Sequence, residues 1–341
     1  MRRFFLIFSA LIFGALAASG TLSFADANPQ IASPASVDVL ALLDSPEKFL
    51  QPTESGRIAS AGFGMTRNSG TRFHEGIDIR SVRKMKSGAP RDLVFAAMPG
   101  EIVHINRAAS GSSYGRHVVL RHENSGVELY TLYAHMIAFS PKIAVGQNVR
   151  AGALLGMMGQ TSNIYKIPKS GAHLHFEVGM RLGGNGFARW FSRAYGPGNA
   201  HGEWNGFNLV GADPIRFFET QKSAPALDFV RWLKTFSRDF SVRVPESEFP
   251  EILRRSPALF AGKKSPGNVS ARAWEIDFTW FGMPLEFREI ANAPAQAEIC
   301  NVAPAHSAEA VRRGILETRG GKFFPGKTLR NYLEIIFARA I

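Results

Sequence analysis

Between Gly56 and about Glu219 no apolar run lasts long before a glycine interrupts it. The runs are short and alternating or apolar: Leu93 to Ala97, Glu101 to Ile105, His117 to Arg121, Val127 to Tyr133 and Leu174 to Val178. Short runs at this spacing, punctuated by glycine, predict an antiparallel, mainly β unit. Gly146, Gly152, Gly156 and Gly159 fall between brief apolar pieces and suit tight turns and close backbone approach.

Inside this region lie Phe73-His74-Glu75-Gly76-Ile77-Asp78-Ile79, Tyr130-Thr131-Leu132-Tyr133-Ala134-His135 and Gly171-Ala172-His173-Leu174-His175-Phe176-Glu177. On a strand, side chains alternate faces, so His173, His175 and Glu177 point one way while Leu174, Phe176 and Val178 point into a core. His74 and Asp78, four apart, share a face in an extended segment. Two imidazoles and one carboxylate make a three-ligand site for a divalent ion and leave a fourth position for water, the layout of catalytic zinc. A neighbouring histidine can then handle protons. Glu177 shares the face of His175 and suits the support that metal-bound histidines receive. Glu75 points the other way and is set aside.

The three segments resemble the lysostaphin-type (LytM-like) zinc metalloendopeptidases of peptidoglycan. The resemblance runs from about Gly56 to Val178, with Phe63-Gly64, the Ala96-Ala97 to Gly100 stretch and Gly146-Gln147-x-Val149 in support. It implies one Zn²⁺ per chain held by His74, Asp78 and His175. It also implies His173 as general base and His135 as a second catalytic histidine that steadies the oxyanion or steers the water. Peptidoglycan is the implied partner, and hydrolysis of its peptide cross-links or stem peptides the implied reaction. The rival reading is a non-catalytic regulator that binds and activates wall amidases, the usual state of members that have lost ligands. This sequence departs from the pattern in the segment Asn163 to Ser170 before His-Leu-His and in the basic stretch Ser81 to Arg91 after Asp78. Both bear on substrate preference, because loops form groove walls.

The remaining expectations concern organisation. Arg2 and Arg3, the apolar run Phe4 to Ala18 and Ala25-Asp26-Ala27 have the layout of a secretory signal over residues 1–27, with no lasting membrane anchor after its removal. Export directs the chain to the periplasm, cell wall or exterior. The net charge of +12 then suits an anionic wall rather than nucleic acid. Residues 28–55 read as a linker with a short helix at Val37 to Leu43. Residues 56–219 read as the zinc endopeptidase domain, and 181–210 as a loop insert within it. Trp190, Tyr195 and Trp204 of that insert, together with Tyr133, are candidate substrate contacts. Residues 223–341 read as an α+β accessory domain: a helix through Leu227, Val230, Leu233, Phe236 and Phe240, a hairpin around Gly282 to Pro284, and a final helix at Leu329 to Phe337. His104, His117 and His122 sit in or beside the expected strands, and His122 reads as structural; His201 in the aromatic insert is a candidate substrate contact, and the lone Cys300 reads as a small apolar residue.

Overall fold

The computed structural model describes residues 30–164, 166–224, 226–262 and 273–339. The expected signal at 1–27 lies outside them. Among the described residues no helix is long and apolar enough to cross a membrane.

Antiparallel sheets dominate. In the seven-stranded sheet, the strand Val127–Ala134 lies between His117–Asn124 and His173–Arg181, and Gly100–Asn106 follows His117–Asn124. The strand His173–Arg181 is shared on its other side. Its first half pairs with Ile77–Arg80 and its second half with Leu209–Ala212. Alternation along it holds as expected: Leu174, Phe176 and Val178 enter the main core, where Phe176 stacks on Phe218 at 5.7 Å. Burying each such side chain stabilises the fold by about 1.5–3 kcal/mol. The opposite face carries His173, His175 and Glu177. Gly76 lets the His74–Asp78 segment close on this strand, since a Cβ there would meet the Phe176 carbonyl oxygen at 2.1 Å.

A four-stranded antiparallel sheet follows in sequence, ordered Pro284–Ile290, Ala273–Phe278, Phe240–Val244, Glu298–Cys300. Its Trp274, Ile276 and Phe278 belong to the same continuous core as the first sheet. Phe63 meets Phe73 at 5.2 Å and Phe281 at 5.0 Å, and Phe73 meets Trp280 at 5.9 Å, so aromatic rings bridge the two regions.

Several local expectations need correction. The stretch expected as a linker is packed: Val39, Leu43, Phe49 and Leu50 are buried, and its helix shrinks to a 3₁₀ turn at Leu40–Leu42. The loop insert 181–210 contains a true α-helix, Asn185–Tyr195. Phe187, Trp190 and Phe191 sit at helical spacing and Gly196, at φ 83°, ends the helix in a backbone conformation that favours glycine. The helix expected through Phe240 stops at Leu233, and Phe240 opens a strand. There the register opposite Phe278 and a stacked ring pair at 5.5 Å win over helical periodicity. The closing helix spans Lys327–Phe337.

Candidate metal and proton-transfer site

The register of the sheet assembles the site. His175 lies directly opposite Asp78 across the antiparallel pair, which puts both side chains on one face. His74 arrives from the preceding strand Arg72–His74, itself paired with Gly64–Arg67. Three atoms converge: His74 Nε2 to His175 Nδ1 at 3.0 Å, His175 Nδ1 to Asp78 Oδ1 at 3.1 Å, and His74 Nε2 to Asp78 Oδ1 at 3.2 Å. All three residues are buried.

The outer ring nitrogens are already committed. His74 Nδ1 donates to the Gly62 carbonyl at 2.8 Å, which leaves a lone pair on Nε2. His175 Nε2 donates to Glu177 at 2.8 Å. Glu177 in turn accepts from the Tyr130 hydroxyl at 2.6 Å. Burial opposes its charge, but these bonds and Tyr114 hold it below the usual carboxylate range. Burial likewise raises Asp78, yet the surrounding histidines outweigh burial and keep it well below its ordinary value. Burial lowers His74. Burial also works against a charged His175, but Asp78 and Glu177 on its two nitrogens overcome it and push the ring up to about 9. The field that favours a proton on Nδ1 equally favours a cation there.

Zinc–ligand bonds of about 2.0–2.1 Å in a tetrahedron put the ligand atoms about 3.3 Å apart. The observed triangle, its donor chemistry and its tied outer nitrogens fit such an ion. The nearest charge-balancing group is Arg67, whose guanidinium donates to Asp78 Oδ2 and, at 2.8 Å, to His74 Nε2.

His173 and His135 stand beside this triangle with their rings 4.8 Å apart. His173 Nδ1 donates to the Gly171 carbonyl and His135 Nδ1 to the Thr161 carbonyl, each at 2.8 Å, so both turn Nε2 lone pairs away from the backbone. His173 Nε2 is 3.6 Å from Asp78 Oδ1. His135 sits at φ 59°, an uncommon conformation for a residue with a Cβ and one that functional sites often retain.

These five residues line a cavity of about 1020 Å³. Trp204 lines it too, with the Arg181 guanidinium 4.5 Å above its ring. Trp190 reaches the lining while remaining almost wholly in the core. Tyr195 stacks on Phe207 at 4.6 Å in an exposed position and is not among the lining residues. Tyr133 is corrected: alternation sends it to the core face, where its hydroxyl accepts from the Ala97 N–H at 2.8 Å. Its neighbour in the pattern, Tyr130, faces the site instead. Glu75, set aside on extended geometry, also lines the cavity. Arg67 and Tyr114 carry no motif signal and were missed. Tyr114 packs 5.6 Å from His175. The Asn163–Ser170 departure contributes Lys166, Ile167 and Pro168 to one wall, and the C-terminal part contributes Arg313 and Tyr332 to another.

Residues 72–186 match the model of peptidase family M23. This segment therefore resembles an M23 peptidase domain. Among solved structures, it is similar to the catalytic domain of the antimicrobial peptidase lysostaphin from Staphylococcus simulans, at 24% identity over 46% of this chain and 89% of that one, with a TM-score of 0.28. It is also similar to a putative glycyl-glycine endopeptidase LytM from Ruminococcus gnavus, at 19% identity over 45% and 50% of the two chains and a TM-score of 0.29. A third is a zinc-containing peptidase from Vibrio cholerae, at 23% identity over 38% and 36% and a TM-score of 0.26. The match thus spans most of the lysostaphin domain but half or less of the other two chains. No curated protein matches the chain. The M23 match contains His74, Asp78, His135, His173 and His175, and it ends before the Trp204 loop and the C-terminal wall.

Proposed function

We propose that this protein is an exported zinc endopeptidase that hydrolyses peptide bonds in peptidoglycan stems or cross-links. The observation that carries the reading is the buried triangle of His74 Nε2, Asp78 Oδ1 and His175 Nδ1, three atoms of metal-ligand type 3.0–3.2 Å apart with their supporting bonds already made. A zinc ion held by those atoms would supply a Lewis acid and water acidic enough to ionise near neutral pH. His173 Nε2 takes a proton from the attacking water and returns it to the leaving amine nitrogen. His135, with its proton on Nδ1, accepts at Nε2 and so orients the water. Glu177 keeps His175 in the tautomer that leaves Nδ1 for the ion. The cavity, walled by Trp204 and the C-terminal helix, holds the peptide in reach. The net charge of +12 draws the protein to an anionic wall.

A second reading, a non-catalytic partner of wall amidases, is favoured by the guanidinium of Arg67 seated against two of the three residues. Purified mature protein, supplied with zinc and incubated with peptidoglycan sacculi, tests both. Release of muropeptides with newly cut peptide bonds, seen by mass spectrometry and lost in His175→Ala, which should also bind less zinc than the wild type, is the expected result. Undiminished cleavage by His175→Ala would overturn the assignment. Intact sacculi with faster turnover by an added amidase would establish the second reading.

A further inference from the structure

A second cluster lies along the same cavity, outside the residues the proposed reaction uses. His104, His117 and His201 form a nearly equilateral triangle of rings, with centroids 5.2, 5.3 and 5.3 Å apart. His104 Nε2 is 3.2 Å from His201 Nδ1. In each of the three residues one ring nitrogen lies within 4.8 Å of its counterparts in the other two.

The fold invests in this arrangement. His117 stands on the site face of its strand beside Val119. Simple alternation along Gly100–Asn106 would turn His104 toward the core with Ile102. The register instead slips between Ile102 and His104. Ile102 and Ile105 therefore join the main core, while Val103 packs with the smaller cluster under the site and His104 is turned toward His117. A bulge of this kind re-aims a side chain. His201 comes from the loop after the helix Asn185–Tyr195 and closes the triangle from above the sheet.

Two outer nitrogens are tied off as they are in the first site. His117 Nδ1 donates to the Gly115 carbonyl and His201 Nε2 to the Gly111 carbonyl, each at 3.0 Å. These bonds leave lone pairs on His117 Nε2 and His201 Nδ1. Backbone carbonyls that fix the tautomer in this way are the usual support of metal-bound histidine. A tetrahedral ion bound to three imidazoles at about 2.0–2.1 Å would place the ring centroids about 5.2 Å apart. The observed spacings match that figure.

We infer that His104, His117 and His201 form a second transition-metal site, of a type that takes zinc through three neutral imidazoles. Its place in the fold assigns its role. Two of its ligands belong to adjacent strands and the third to the loop that supplies Trp204 and Asn205 to the cavity wall. A bound ion fastens this loop to the sheet and so fixes one wall of the cleft. His117 and His201 both line the cavity, so the ion's remaining position opens toward it.

The test counts zinc on the full mature chain after chelator dialysis, by calorimetric titration with ZnCl₂ and metal analysis. His175→Ala should still bind about one equivalent, and adding His201→Ala should remove it. His201 is a loop residue outside the core, so this change spares the fold, which circular dichroism checks. Zinc should also protect the 196–208 loop from limited proteolysis in His175→Ala but not in the double variant. The inference is overturned if His175→Ala binds no zinc, or if the double variant binds as much as His175→Ala. It does not depend on the peptidase reading: that reading fails if His175→Ala binds as much zinc as the wild type, whatever His201→Ala does.

Discussion

The two large sheets place charged and titratable side chains by the same cross-strand rule, with opposite results. In the C-terminal sheet Glu275 lies between Arg243 and Arg288, with contacts at 2.7 and 2.9 Å. Asp277 meets Arg288 at 2.5 Å and Arg238 at 3.1 Å. Glu275 and Asp277 each face two arginines, so this pair of acids is satisfied within the sheet. In the N-terminal sheet the same register sets His175 opposite Asp78 with His74 beside them, so two imidazoles and one carboxylate converge on a single point. Arg67, from a neighbouring strand, is the cation that touches them. Paired charges make a self-contained surface, whereas converging atoms of metal-ligand type call for an ion.

The sharpest way to break this contrast is Asp78→Asn, which removes the charge and keeps the shape. In a His201→Ala background, zinc affinity should fall at least ~100-fold, the scale of a buried charge contact worth about 3 kcal/mol or more. Unchanged affinity in a chelator competition would mean that the triangle is not the ligand set. Glu177→Gln tests the supporting bond alone, with an expected loss of roughly 10–100-fold in zinc affinity and little change in fold. If its affinity equals the wild type's, Glu177 serves packing only.

Acid should separate the sheets. Buried His122 is hydrogen-bonded to Pro99 O and the Thr131 hydroxyl, both at 2.7 Å, and burial lowers it to about 4. The unfolded chain takes up this proton first, so the stabilisation is complete above about pH 6.5 and is lost as pH falls toward 4. At pH 5 the loss is about 2 kcal/mol. Asp277 and Glu275 are held below their ordinary values: burial opposes this, but their arginines outweigh it. Their contribution therefore persists until the pH drops below the usual carboxylate range. Urea midpoints at pH 7.5 and 5 should differ less in His122→Gln than in the wild type, and equal differences would remove His122 from the account. The smallest effect belongs to Arg288→Ala. It should cost about 1–2 kcal/mol of stability, because Asp277 keeps Arg238, and should leave zinc affinity untouched. A matching drop in zinc affinity would show that the two sheets do not act separately.

Much of the first site was legible because it depends on local period. His173, His175 and Glu177 fall on one face by alternation alone, and His74 and Asp78 share a face by their spacing. The same rule applied to Tyr133 points to the core, and Tyr130, three residues back, is the one that reaches Glu177. The helix at Asn185–Tyr195 was also readable from Phe187, Trp190 and Phe191, but the glycines around it suggested a loop. Arg67 and Tyr114 gave no such signal, since neither lies in a motif: Arg67 ends the strand Gly64–Arg67 and Tyr114 sits in a turn.

The order of residues thus determined the strand faces, the metal-type donor set and the β class, because period-two alternation and donor chemistry are properties of short segments. Only the tertiary structure decided that a bulge between Ile102 and His104 turns one imidazole toward His117, that His201 closes over both from a distant loop, and that the C-terminal helix walls the cavity. Those outcomes depend on register slips and loop paths, which are settled by core packing between segments far apart in the chain.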